Sequence, residues 1–127
     1  MLIQFSLNAD ELMRACQHLG MELTDGDELI DFNVVARSVE ITVHGAAAEL
    51  EARTQAEGRV SVPSAVLHGV VRMLPYYGRR KIVLAFSEGK MQVQTTIFHN
   101  RFILLSPSGR SRRLASAQCN ELSSIVA

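Results

Sequence analysis

Four histidines and two cysteines are the side chains best suited to bind a metal, relay a proton or attack a substrate, and their spacing decides what they can do together. His18, His44, His68 and His99 fall in four separate segments. None has an i+4 partner or a carboxylate at the spacing that a metal site or an acid–base pair requires. Cys16 and Cys119 stand equally apart, with no second cysteine or histidine at ligand spacing, so both are expected as reduced thiols of a cytoplasmic protein. No serine occupies a G-x-S-x-G elbow, and neither a phosphate-binding P-loop nor a dinucleotide fingerprint occurs, Gly20 and Gly26 being isolated turn glycines. The expectation is a protein without catalysis, metal or cofactor.

Charge is the remaining chemistry. Thirteen basic residues balance thirteen acidic ones, so the chain lacks the overall positive field of most nucleic-acid binders. Basic residues still cluster locally. Arg79-Arg80-Lys81 is the densest run, and Arg110, Arg112 and Arg113 form a second group near the C-terminus. A charge run before a strand also serves to discourage edge-to-edge aggregation, so such a run has two readings. Tyr76 and Tyr77, adjacent aromatics, either stack on a ligand or cap the end of a packed element.

The elements that must position these residues repeat. Ile3, Phe5 and Leu7 alternate, the period of a strand with one buried face. Asn8 or Asp10 then caps a helix whose buried stripe is Leu12, Ala15, Cys16 and Leu19, ending at Gly20, with Asp10, Glu11, Arg14, Gln17 and His18 facing outward. An acidic turn follows, then strands over Glu28 to Val35, Val39 to His44 and Glu49 to Thr54. The order βαβββ begins again with a strand from Arg59 to Val62 and Pro63 at the first turn of a helix. That helix buries Val66, Leu67, Val70, Val71 and Leu74, leaves His68 and Arg72 exposed, and stops at Pro75. Strands over Lys81 to Phe86, Met91 to Thr95 and Arg101 to Ser106 complete it, the first two joined by a tight Ser87-Glu88-Gly89-Lys90 turn.

The 127 residues therefore read as one α+β domain over residues 1–105, with halves of about 1–57 and 58–105. Two helices are expected on one face of curved antiparallel sheet. Residues 106–127 read as a basic linker and a short tail, helical over Leu114 to Val126 with Leu114, Gln118, Leu122 and Ile125 on one side. No apolar run approaches the about 20 residues of a membrane span, and the N-terminus lacks the pattern of a secretory signal.

This pattern resembles the DNA sliding-clamp domain, most closely the first domain of the bacterial DNA polymerase III beta subunit. Phe5-Ser6-Leu7-Asn8 with Glu11 to Leu19 is similar to the family's first strand and helix. Gly58-Arg59-Val60-Ser61-Val62-Pro63-Ser64-Ala65 and Leu67 to Pro75 resemble its G-x-x-x-V-P-A and L-x-x-I-V-R-x-L-P segments. Lys81 to Leu84 and Lys90 to Val93 fall at its hairpin strands, and Asn100 to Leu104 is similar to its S-R-F-x-L strand. These are packing motifs, so they speak to fold before function. The acidic stretch Glu22 to Glu28 departs from the family, which tends to have a basic, proline-containing loop there. The bacterial clamp's peptide-binding pocket lies in later domains and is not carried over.

The resemblance implies helices that face duplex DNA and hold its phosphates without reading bases. The corresponding positions are Arg14, His18, His68 and Arg72, with Arg79, Arg80, Lys81 and Arg101 on nearby loops and Arg110, Arg112 and Arg113 in the tail. Exposed helix positions need polar residues in any case, and Asp10 and Glu11 share the surface of Arg14. The bacterial chain carries three such domains, so a ring built from single domains needs about six copies. Two readings follow. In one, copies pair through edge strands into a homo-oligomer around DNA, as a tethering or processivity platform. In the other, the domain is an interaction module that takes a protein partner by strand addition.

Overall fold

A computed structural model describes residues 1–19, 28–43 and 45–107. Strand β1 (Ile3–Asn8) buries Ile3, Phe5 and Leu7 and leaves Gln4, Ser6 and Asn8 half-buried, as its alternation requires. Helix α1 (Ala9–His18) starts at Asn8, whose Oδ1 accepts from the backbone N–H of Asp10 at 2.9 Å and of Glu11 at 3.3 Å. The short side chain of Asn8 thereby satisfies two donors that the first helical turn leaves without partners. Strands β2 (Leu29–Val35), β3 (Ser38–Val43), β4 (Ala46–Glu51) and β5 (Arg53–Ala56) complete the first half.

The second half repeats the order with β6 (Gly58–Pro63), α2 (Ser64–Met73), β7 (Lys81–Ser87), β8 (Lys90–Val93), β9 (Thr96–His99) and β10 (Leu104–Ser106). Pro63 closes β6 and caps α2, one position before the first helical turn where the sequence pattern placed it. A 3-10 turn, Leu74–Tyr76, takes over where Pro75 ends the α-helical hydrogen bonding. The second cysteine, His44, the acidic stretch after Gly20, the tail helix and Arg110, Arg112 and Arg113 lie outside the described residues.

The α+β class and the repeat hold, and each half carries one strand more than βαβββ. The expected strand from Glu49 to Thr54 is two strands, β4 and β5, that belong to different sheets, with Ala52 at the crossing. In the second half the added strand is β9, while residues 100–103 form a turn in which Ile103 N–H donates to Asn100 O at 3.0 Å, so β10 starts only at Leu104.

The strands form two five-stranded antiparallel sheets, in the orders β5-β1-β7-β8-β9 and β10-β6-β2-β3-β4. Exchanging each strand for its counterpart in the other half, β1 for β6 and so on, converts one order into the other. The pseudo-twofold therefore relates the sheets as well as the halves. It also interlocks the halves, because β1 pairs with β7 from Ile3↔Phe86 to Asn8↔Lys81, and β6 pairs with β2 from Leu29↔Pro63 to Val34↔Gly58.

Both sheets and both helices share one core. Phe5 stacks on Phe86 with ring centroids 6.1 Å apart, and Phe32 from the other sheet meets Phe86 at 5.9 Å. Leu12, Ala15 and Cys16 of α1 and Val66, Leu67 and Val70 of α2 close the core from the helical side, and α1 rests against the 3-10 turn that ends α2. Among the described residues no helix is long and apolar enough to cross a membrane.

Candidate nucleic-acid interface

The densest basic run sits where the two halves meet. Arg79 and Arg80 precede β7, and both carbonyls are taken by the start of α1: Asn8 Nδ2 donates to Arg79 O at 2.6 Å and Ala9 N–H donates to Arg80 O at 3.0 Å. Lys81 opens β7 opposite Asn8 and is exposed. The run is thus pinned by its backbone beside the first turn of α1. Its side chains are not equivalent. Arg80 donates from Nε to Tyr77 O at 3.2 Å and from its terminal nitrogen to Tyr76 O at 2.9 Å, and its guanidinium lies 5.5 Å from the centre of the Tyr77 ring. Arg80 and Tyr77 therefore lock the turn after α2, which is the packing reading of the tyrosine pair for Tyr77, while Tyr76 is 86% exposed.

On α1, Arg14 faces solvent but reaches back one turn to Asp10 Oδ2 at 2.6 Å, an i,i+4 pair. His18 ends the same helix, exposed. Along this flank runs a shallow groove of about 350 Å³ against β4, where Arg14 and His18 share the walls with Glu11, Glu49 and Glu51. On α2, His68 is half-buried and held by a partner, and Arg72 is exposed in the last turn, where the helix dipole favours a cation.

The two histidine–arginine pairs are not symmetry mates. Counting from the first residues Ala9 and Ser64, Arg14 and His18 match Gly69 and Met73, whereas His68 and Arg72 match Met13 and Gln17. The helices thus present their basic residues on different flanks. Gly69 accommodates Phe98 of β9, since an added Cβ would lie 3.0 Å from that ring.

Arg101 stands apart from the rest. Its turn is tied to the β7–β8 connection by Asn100 N–H to Gly89 O and Gly89 N–H to Ile103 O, both 3.0 Å. Arg101 therefore lies at the end of β7 opposite Lys81, about 20 Å away for a strand of this length. Its guanidinium covers the Phe102 ring at 4.9 Å. Arg37 and Arg53, which pattern reasoning passed over, join Lys81 around a cavity beside α1. They are separated in sequence and meet only because the chain crosses sheets at Ala52.

Two interlocked halves, each a strand, a helix and four further strands, built into two five-stranded antiparallel sheets give this chain a sliding-clamp-like fold. The C. crescentus beta sliding clamp matches 86% of this chain with a TM-score of 0.65 at 17% identity, and the DNA polymerase III beta subunit of Bartonella birtlesii, solved with griselimycin bound, matches 83% with a TM-score of 0.61 at 15% identity. The likeness is one of fold, and this chain spans 31% and 30% of those two chains. No family model and no curated protein matches the sequence.

Proposed function

We propose that this domain is a non-catalytic clamp module of the cytoplasm whose copies join edge to edge into a ring that holds duplex DNA without reading its sequence. The observation that carries the reading is one pair, β4 and β9, of the four edge strands that the two sheets present. They end the two sheets at pseudo-symmetric positions, so one copy's β4 and the next copy's β9 can continue a sheet head to tail, the geometry that generates rings. The edges also differ in charge: β4 bears Glu49 and Glu51, and the β9 end bears His99, with Lys90 opposite it on β8 and Arg101 beside it. About six copies close such a ring on the plan of a three-domain clamp chain. Arg72, Arg79 and Lys81, exposed around the junction of the helices, are then the foremost phosphate contacts, with Arg14, His18, His68, Arg80, Arg101 and the tail's Arg110, Arg112 and Arg113 as the remaining candidates.

The charge balance and the acidic groove beside Arg14 favour a second reading, a clamp-fold interaction module that pairs one open edge with a different protein. Light scattering separates the two. On the first reading the solution mass is a closed multimer, and a DNA duplex adds to it at low salt and leaves at moderate salt. The Ile97→Pro variant sharpens the test. The two-residue turn after Val93 makes Val93↔Thr96 the closing pair, which leaves the Ile97 N–H directed away from β8. Proline there spares the β8 ladder and blocks an incoming strand, so the multimer falls to monomer with the fold intact. A parent protein that is monomeric at all concentrations and forms no complex with DNA eliminates the ring.

A further inference from the structure

We infer that the cavity between α1 and the β4–β5 crossing is a binding site for a polypeptide segment that ends in a free carboxylate and carries a basic side chain a few residues upstream. The cavity has a volume of about 600 Å³ and is walled by Arg37, Arg53 and Lys81 together with Glu11 and Glu51, over a floor that includes Leu7 and Ala52. Among the described residues none of these five charged side chains forms an ion pair or a side-chain hydrogen bond, with one another or with anything else. Opposite charges that share a cavity without closing on each other leave room for a ligand bearing both signs. Glu11 and Glu51 also wall the neighbouring groove along α1, where Glu49 joins them, so positive charge gives way to negative along one continuous surface. Acidic walls repel a polyanion, whereas a peptide places its carboxylate among the three cations and its own cation against the glutamates.

Arg37 supplies an independent argument. It is the second residue of the β2–β3 turn and holds φ at +70°, a left-handed conformation that side chains disfavour. Its counterpart in the other half, the second residue of the β7–β8 turn, is Gly89, with φ at +74°. Both carbonyls are gripped in the same way, by Ala52 N–H at 3.0 Å and by Asn100 N–H at 3.0 Å. The other non-glycine residue in this conformation, Gln94 at φ +56°, is held by its side chain, whose Oε1 accepts from Val83 N–H at 2.7 Å; Arg37 has no such side-chain bond, and its strain falls at the cavity wall. The site is formed by a single molecule and does not depend on ring assembly.

Fluorescence anisotropy with the full-length protein tests the assignment. The probe is an N-terminally fluorescein-labelled hexapeptide with a free C-terminal carboxylate and a lysine three residues before it. This peptide is expected to bind saturably, and its C-terminal amide and its lysine-to-glutamate form each about tenfold more weakly. Arg37→Gly relieves the left-handed strain, so it is expected to keep Tm at or above the parent value while binding the probe about tenfold more weakly, and Arg53→Glu is expected to abolish binding. Equal affinity for the acid and the amide, undiminished binding by Arg37→Gly, or no saturation up to about 1 mM probe overturns the site. Displacement of the probe by duplex DNA in the Lys81→Gln variant, which removes the one residue that the cavity shares with the proposed DNA surface, overturns the peptide as its occupant.

Discussion

The Cys16 thiol lies on the inward face of α1 at 3% exposure, and burial pushes its pKa from 9.0 up to about 11. The folded state holds the proton more tightly than the unfolded chain does. The stabilisation is therefore complete below pH 9 and is lost as pH rises through the folded value. Between pH 8 and pH 10.5 this one group should remove about 2 kcal/mol of folding free energy. Denaturant unfolding of the parent and of Cys16→Ala at the two pH values isolates the effect, because other titrating groups are common to both. The parent should lose about 2 kcal/mol more than the variant, and equal losses would refute the assignment. Cys16 was readable from sequence, since it falls in the three- and four-residue stripe of α1. The anchoring of Arg80 was not, because its acceptors are carbonyls freed by a 3-10 turn that only Pro75 hints at. Nor were Arg37 and Arg53, whose common cavity is a product of long-range topology.

At the scale of elements, burial explains which parts of the pattern could be read. Both helices and the strands β1, β6 and β7 alternate or repeat because one face meets the core, and β2 is buried on both faces from Phe32 to Val35, so each was visible as an apolar pattern. Strands β4, β5, β9 and β10 sit at sheet edges with largely exposed residues, so no period marks them. Three alanines open β4 and only polar residues and one alanine make up β5, compositions with little strand preference. Gly58 is the converse case, a motif residue whose reason appears only in three dimensions. It opens β6 where that strand passes β1, and an added Cβ would lie 2.5 Å from Ile3 Cγ1 and 2.6 Å from Ile3 Cδ1. Ile3 is fully buried and has no free space to turn into. Gly58→Ala is expected to cost about 1–3 kcal/mol, a fall in Tm of several degrees. The same change in an Ile3→Val background should cost less, which a double-mutant cycle reads directly. A neutral Gly58→Ala would mean that the β1–β6 contact yields readily.

At the scale of the whole molecule, the pseudo-twofold governs how the chain can fold. Neither half holds a sheet of its own. The first half contributes β5 and β1 to one sheet and β2, β3 and β4 to the other, while the second contributes β7, β8 and β9 to the first and β10 and β6 to the second. The longest ladders between the halves, β1 with β7 and β2 with β6, join residues far apart in sequence, and the aromatic trio is split in the same way, Phe5 and Phe32 from one half against Phe86 from the other. Each half alone exposes the apolar faces that the other covers and leaves its first strand without its main partner, so it lacks the burial needed to offset chain entropy. Residues 1–57 and residues 58–127, prepared separately, should each give the far-ultraviolet circular dichroism of an unfolded chain. An equimolar mixture should recover sheet and helix signal and a cooperative thermal transition, because every inter-half ladder can re-form without the peptide bond between Glu57 and Gly58. If residues 1–57 fold cooperatively on their own, the repeat is two independent units in contact, and the exchange of strands between halves is not what holds the molecule together.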